Sequence, residues 1–446
     1  MRRSIPRPAP VLALALAASV LLAATSFTPA AAEPDPDPRG IGRQTLPEGD
    51  GWGSAGYGTT GGSEAAPEDV HVVSTFEDFR AAVGGKDEDT PRIVYVKGTI
   101  DANTTADGTP LTCADYAVDG YTLEEYLQTY DPEVWGWEDV EGPLEDARLA
   151  SAAVQAEQIR VEVGSNTTVL GLGDDAVLTG VNLRVRDVDN VILRNLTFSD
   201  THDCFPGWDP GDGDSGNWNS EYDQVEVSGA TNVWVDHNTF DDGDNPGTEL
   251  PEYFGRKYEV HDGLLDIVRE ADLVTVSRNH FEGRDKALLL GNSDGRTTDR
   301  GYLRVTWRHN HFDGLGERMP RVRYGQVHVH NNYYTVRDPE HFGYSLGVGR
   351  ESHLYAENNI FDLHDGIGAG ELLYNWGGTD IVEQGNVLMS EGKGRLAPVD
   401  LVAEHNALFP DRTLGTELTW VPQFTAEVEP VHAVRGLPRE VGSGRL

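Results

Sequence analysis

The segment "LVTVSRNHF" (273–281) alternates apolar and polar residues, then runs through Asn279 to an aromatic side chain. A period of two in a stretch rich in valine and threonine predicts a β-strand. The pattern returns in "NVWVDHNTF" (232–240), "LRVTWRHNHF" (303–312), "QVHVHNNYY" (326–334) and "HLYAENNIF" (353–361). Weaker copies are "NVILRNLTF" (190–198) and "DIVEQGNVL" (380–388). The asparagines Asn238, Asn279, Asn310, Asn332, Asn359 and Asn386 are separated by 41, 31, 22, 27 and 27 residues. A fixed minimum with variable excess is what stacked coils with loop insertions produce. One such strand per 22 residues leaves room for two more in each coil. The prediction is an all-β chain folded as a right-handed, single-stranded parallel β-helix. Each asparagine then serves a left-handed turn or a stacked amide ladder. Phe240, Phe281, Phe312 and Phe361 would form an interior stack.

The beginning of the chain sets the expected compartment. Residues 1–32 read as a signal peptide: Arg2, Arg3 and Arg7, the apolar run "VLALALAASVLLAA", then small residues at Ala30 and Ala32. Residues 33–48 are expected as a polar linker and 49–446 as one catalytic domain, acting as a secreted, extracellular monomer. The two cysteines, Cys113 and Cys204, either pair in that oxidising setting or stay as buried thiols. Residues 390–446 are expected to cover the solenoid's end.

A formal net charge of −39 argues against nucleic acid as a partner, and residues 33–446 contain no long apolar run for a membrane. Against that background "GERMPRVRYG" (316–325) is anomalous. It sits in residues 278–323, where ten Lys/Arg face six acids. Parallel strands of adjacent coils lie about 4.8 Å apart. Lys286 comes five residues after Phe281, and Arg318 six after Phe312, so both aim at one side. Asp223, Asp262 and Asp266 reach the same side from the preceding coil. Three carboxylates with no soft ligand predict a cation, and oxygen-only ligation favours Ca²⁺. Calcium beside Lys286, Arg318 and Arg323 suits an acidic sugar chain. Its C5 proton is α to a carboxylate, which metal and guanidinium charge would acidify.

The chain resembles the pectate lyases of polysaccharide lyase family 1. The matching stretches are "GWGSAGYGTTGG" (51–62), "DCFPGWDPGDGDSGNWNSEYD" (203–223), "VWVDHNTF" (233–240), "HDGLLDI" (261–267), "VTVSRNHFEGRDKALLLG" (274–291) and "RMPRVRYGQVHVHNNYY" (318–334). The resemblance implies polygalacturonate as substrate, β-elimination as reaction and Ca²⁺ as cofactor. It implies Asp223, Asp262 and Asp266 as calcium ligands, and Lys286 and Arg323 as carboxylate-binding residues. Arg318 would be the base, and Asp212 and Glu221 would serve additional calcium. Three alternatives remain open. A pectin lyase would not need the calcium carboxylates. A hydrolase of the same polymer would need an acid pair such as one from "DDGD" (241–244). A β-helix binding protein would leave the cations unexplained. Asp236 and His237 are expected to be structural, Arg321 to form a salt bridge, and Trp208 and Trp218 to pack inside or to carry sugar.

Overall fold

The computed structural model describes residues 36–364, 366–390, 394–417, 420–424 and 428–446. The expected signal peptide lies outside them. The described residues contain no helix long and apolar enough to cross a membrane. They form a parallel β-helix with three long sheets, two of ten strands and one of eight. One coil shows the plan: Val225–Ser228 lies in the eight-stranded front sheet, Thr231–Asp236 in the ten-stranded back sheet and Thr239–Asp241 in the third. Each strand pairs in parallel with its counterparts on neighbouring coils, as Thr231–Asp236 does with Asp189–Arg194 and Asp272–Ser277.

The repeat residues do two different jobs. Phe198, Phe240, Phe281, Phe312, Tyr334 and Phe361 are buried and succeed one another with ring centroids 4.5–5.5 Å apart. They form the expected interior stack, with Tyr334 completing the column. The asparagines form the amide ladder. Asn279 Nδ2 donates to Asn310 Oδ1 at 3.0 Å, Asn310 to Asn332 at 3.0 Å and Asn332 to Asn359 at 3.1 Å. The left-handed position is the residue before each: His237, Arg278, His309, Asn331 and Asn358 have φ of 52–55°. Turn and ladder are thus adjacent rather than shared.

Residues 36–48, expected as linker, lie against the coils. Ile41 packs with Ile93, Tyr95 and Leu170, and Leu46 packs with Ile192 and Trp234. An insertion between the first coils carries helices Cys113–Tyr116, Leu123–Thr129 and Pro143–Ile159, which the repeat did not foretell. Cys113 and Cys204 form a disulfide that ties this insertion to the coil beyond it. Trp208 and Trp218 are buried in the aromatic cluster beneath, so they pack inside.

At the far end, helix Leu401–Leu408 closes the solenoid, with Leu401 fully buried. The chain then turns back instead of ending there. Gly442 N donates to Arg278 O, Ser443 N to Thr239 Oγ1 and Gly444 N to Asn195 Oδ1, so the tail crosses successive coils.

Candidate active site

The front sheet positions the acids. Val225 pairs with Leu265 and Glu226 with Asp266, which sets Asp223, two residues earlier, opposite Gly263. Gly263 N donates to Asp223 Oδ1 at 2.9 Å, and Leu289 N donates to Asp266 Oδ1 at 3.0 Å. A Cβ on Gly263 would lie 2.3 Å from Asp266 Oδ1 and 2.7 Å from Asp223 Oδ1. The glycine therefore leaves open a space that both carboxylates face. Asp262 adjoins it, its backbone carbonyl held by Arg284.

None of these three aspartates has an ion-pair partner among the described residues. Burial, then Asp262, pushes the Asp266 carboxyl up to about 8. Burial, then Asp266 and Asp262, lifts Asp223 well above the carboxylate range. Crowded carboxylates that resist ionisation, supplied only with oxygen donors, fit a hard divalent cation.

The cations come from the next coils. Lys286 pairs in parallel with Glu317, and Leu289 with Arg321. Between these pairs, Ala287 and Leu288 oppose Arg318, Met319 and Pro320. The extra residue makes a bulge, with Arg318 at φ 66° and a cis Met319–Pro320 bond. The Lys286 ammonium forms no hydrogen bond or ion pair among the described residues. Arg318 Nε donates to Glu317 Oε1 at 3.0 Å. Burial works to lower the Arg318 pKa, but Glu317, Tyr344, Asp266 and Asp262 outweigh it and hold the group above its ordinary value. Arg323, buried, donates from Nε to Asp294 Oδ1 at 2.6 Å and from Nη1 to Gly291 O at 2.7 Å.

The structure therefore brings Asp223, Asp262, Asp266, Lys286, Arg318 and Arg323 onto consecutive coils of one sheet. Asp212 lies exposed in the turn of the hairpin Gly207–Asp209/Asn217–Asn219. Glu221 is exposed and lies 3.4 Å from Arg160 Nη2. Arg321 makes no salt bridge among the described residues: its guanidinium lies over the Trp376 ring, 4.0 Å from the centroid, while the nearby Glu317 carboxylate pairs with Arg318. Asp236 takes hydrogen bonds from Arg194, Ser277 and His237 on the back sheet, a structural place as expected. In "DDGD", Asp242 is held by Arg284 and Asp241 accepts from Ser199, and the run follows the third sheet rather than the front sheet that carries the cations. Sequence reasoning missed Glu317 and Asp294 as the carboxylates that hold Arg318 and Arg323. Only the adjacency of Glu317 to Arg318 could have signalled the first.

On a parallel β-helix, carboxylates without ion-pair partners among the described residues, set beside such cations, suit a polysaccharide lyase. The sequence profile described as pectate lyase matches residues 139–386. A pectate lyase of Bacillus subtilis is 43% identical over 352 residues, covering 78% of this chain and 83% of the relative. Pectate lyase E of Dickeya chrysanthemi is 36% identical over 318 residues, covering 70% and 67%. The structure of a thermostable pectate lyase superposes with a TM-score of 0.88 at 41% identity, over 91% of this chain and 99% of that one. A pectate lyase bound to a hexasaccharide gives 0.85 at 38%, over the same shares. The chain belongs to the pectate lyase family.

Proposed function

We propose that the protein is a secreted, calcium-dependent enzyme that cleaves α-1,4-linked polygalacturonate by β-elimination, with Arg318 removing the C5 proton. The observation that carries this reading is the bulge that sets Arg318 on the sheet of the three unpaired aspartates. The leader-like residues 1–32 support secretion.

Asp223, Asp262 and Asp266 would hold the cation. Calcium there supplies positive charge that anchors a uronate carboxylate and acidifies its α-proton. Lys286 and Arg323 bind substrate carboxylates, Lys286 through an ammonium that no group among the described residues pairs with. Arg318 takes the C5 proton in its neutral form. Electrons of the C5–H bond become the C4–C5 double bond, the C4–O bond breaks with its electron pair on the departing oxygen, that oxygen takes a proton from solvent, and Arg318 returns the C5 proton to solvent. No water is consumed. Arginine is an uncommon base. Neutralising Asp262 and Asp266 removes two of the charges that keep it protonated, and Lys286 and Arg323 add opposing ones.

The test is product analysis on polygalacturonate. Unsaturated oligogalacturonates, seen as new ultraviolet absorbance, should accumulate with calcium and not with excess chelator. Saturated reducing ends without that absorbance would overturn the reading.

A further inference from the structure

A second concentration of arginines lies on the back sheet. Arg194, Asp236, Ser277 and Arg308 stand in register across four coils. Residues 43–50 form the facing wall of a groove of about 570 Å³, the size of a small-ligand site. Buried Val274 and Val276 of the same strand are part of the interior core, so this face looks away from the catalytic sheet.

The groove's charges do not cancel. Asp236 is spent on Arg194, which also lies 4.3 Å over the Trp234 ring. Asp50 is spent on Arg308. Arg43 reaches only backbone carbonyls, those of Ser63 and Ala65. The half-buried Arg278 guanidinium forms no hydrogen bond or ion pair among the described residues. Arg308 is only 8% exposed, yet its Nε has no hydrogen-bond partner among the described residues. Four guanidinium groups thus meet two carboxylates in a chain of net charge −39. Burying the Arg308 Nε–H without an acceptor costs stability unless an anion completes it, and the half-buried Arg278 guanidinium stands in the same groove.

We infer that this groove is a non-catalytic binding site for a carboxylate of a galacturonate chain, gripped by Arg278 and Arg308. Its ligand class rests on the proposed substrate. A polymer held there and in the catalytic groove is retained by linkage, because the second contact is intramolecular.

Two measurements on the full chain test it. The first is calorimetric titration of the Arg318→Ala protein with trigalacturonate in calcium. Two classes of site are expected: adding Arg278→Glu should remove one, and adding Arg323→Gln the other. Fully methyl-esterified trigalacturonate should fill neither back-face site nor its Arg278→Lys version, whereas the charged trimer should fill the latter. The second uses Arg278→Glu in the otherwise unaltered enzyme. Its KM on long polygalacturonate should rise about tenfold, with kcat/KM on trigalacturonate unchanged. A single class of site indifferent to Arg278→Glu, or equal losses on polymer and trimer, would overturn the inference. Failure of the elimination assay would remove the lyase mechanism but leave an Arg278-dependent binding isotherm in place, so the two failures are distinguishable.

Discussion

Arg318 Nε donates to Glu317 Oε1 at 3.0 Å, so the group assigned the C5 proton is held by the carboxylate of its own chain neighbour. That contact favours the protonated guanidinium, which is the inactive form for a base. Glu317→Gln should therefore move the alkaline rise of kcat toward lower pH. Arg318→Lys keeps the charge but loses the guanidinium. It should lower kcat by roughly 10²-fold or more, as loss of a general base does, with little change in KM. Paired pH–rate profiles check both. An unmoved profile in Glu317→Gln together with near-normal kcat in Arg318→Lys would leave Arg318 as an electrostatic clamp only.

Asp223 and Asp266 face the same space beside Gly263 and form no ion pair among the described residues. Calcium should thus stabilise the fold as well as support turnover. At 100 times its Kd it should add about 2.7 kcal/mol, read as a rise in the urea midpoint. Asp266→Ala should abolish that rise. Gly263→Ala should also weaken it, because the new methyl would lie 2.3 Å from Asp266 Oδ1. A calcium-dependent midpoint that survives in both variants would place the ion elsewhere.

The repeat was legible because coil geometry imposes it: one ladder asparagine and one stacked ring per turn leave a period that no insertion erases. That the six charged residues proposed for the site share one sheet was legible for the same reason, since strand register carries sequence spacing into space. Glu317 and Asp294 were not. Their roles depend on the bulge after Glu317 and on the path of the loop carrying Asp294, and neither leaves a periodic trace. Arg321 was read as a salt bridge because its neighbours in sequence are charged, but its partner, Trp376, lies 55 positions on. The helical insertion follows no repeat, so the spacing argument passed over it.

Asn310 illustrates what the ladder contributes. Its Nδ2 donates to Val276 O and Asn332 Oδ1, while its Oδ1 accepts from Asn279 N and Nδ2. Asn310→Ala would strand buried groups on the two neighbouring coils, at about 1–3 kcal/mol each. The expected result is a clear drop in urea stability with little change in the kcat of the folded fraction. Asn310→Asp keeps the acceptor but loses the donor, so its loss should be smaller at low pH, where the carboxyl is protonated and donates. Equal losses for both variants at every pH would show that the ladder acts through packing alone.

Acid stability follows from histidines buried behind the ladder. Burial, then Arg308 and Arg278, holds His309 down to about 3; burial, then His280, does the same for His311. The unfolded chain takes up these protons near the ordinary 6.5, the folded chain only near 3. Between those values the unfolded state binds more protons, so stability falls as pH falls. Asp203 works the other way: burial lifts it from 3.8 to about 6, and its contribution shrinks as pH rises through that window. In saturating calcium, which would hold Asp223 and Asp266 ionised, the two histidines outweigh Asp203, so the urea midpoint should drop steadily from pH 6.5 toward 4. His309→Gln removes one of the titrations and should flatten the slope by up to about 1.4 kcal/mol per pH unit, whatever its effect on stability at neutral pH. Unfolding curves of both proteins at four pH values separate these terms. A wild-type midpoint that holds level between pH 6.5 and 4, or a His309→Gln slope as steep as the parent's, would show that these histidines take up protons without unfolding.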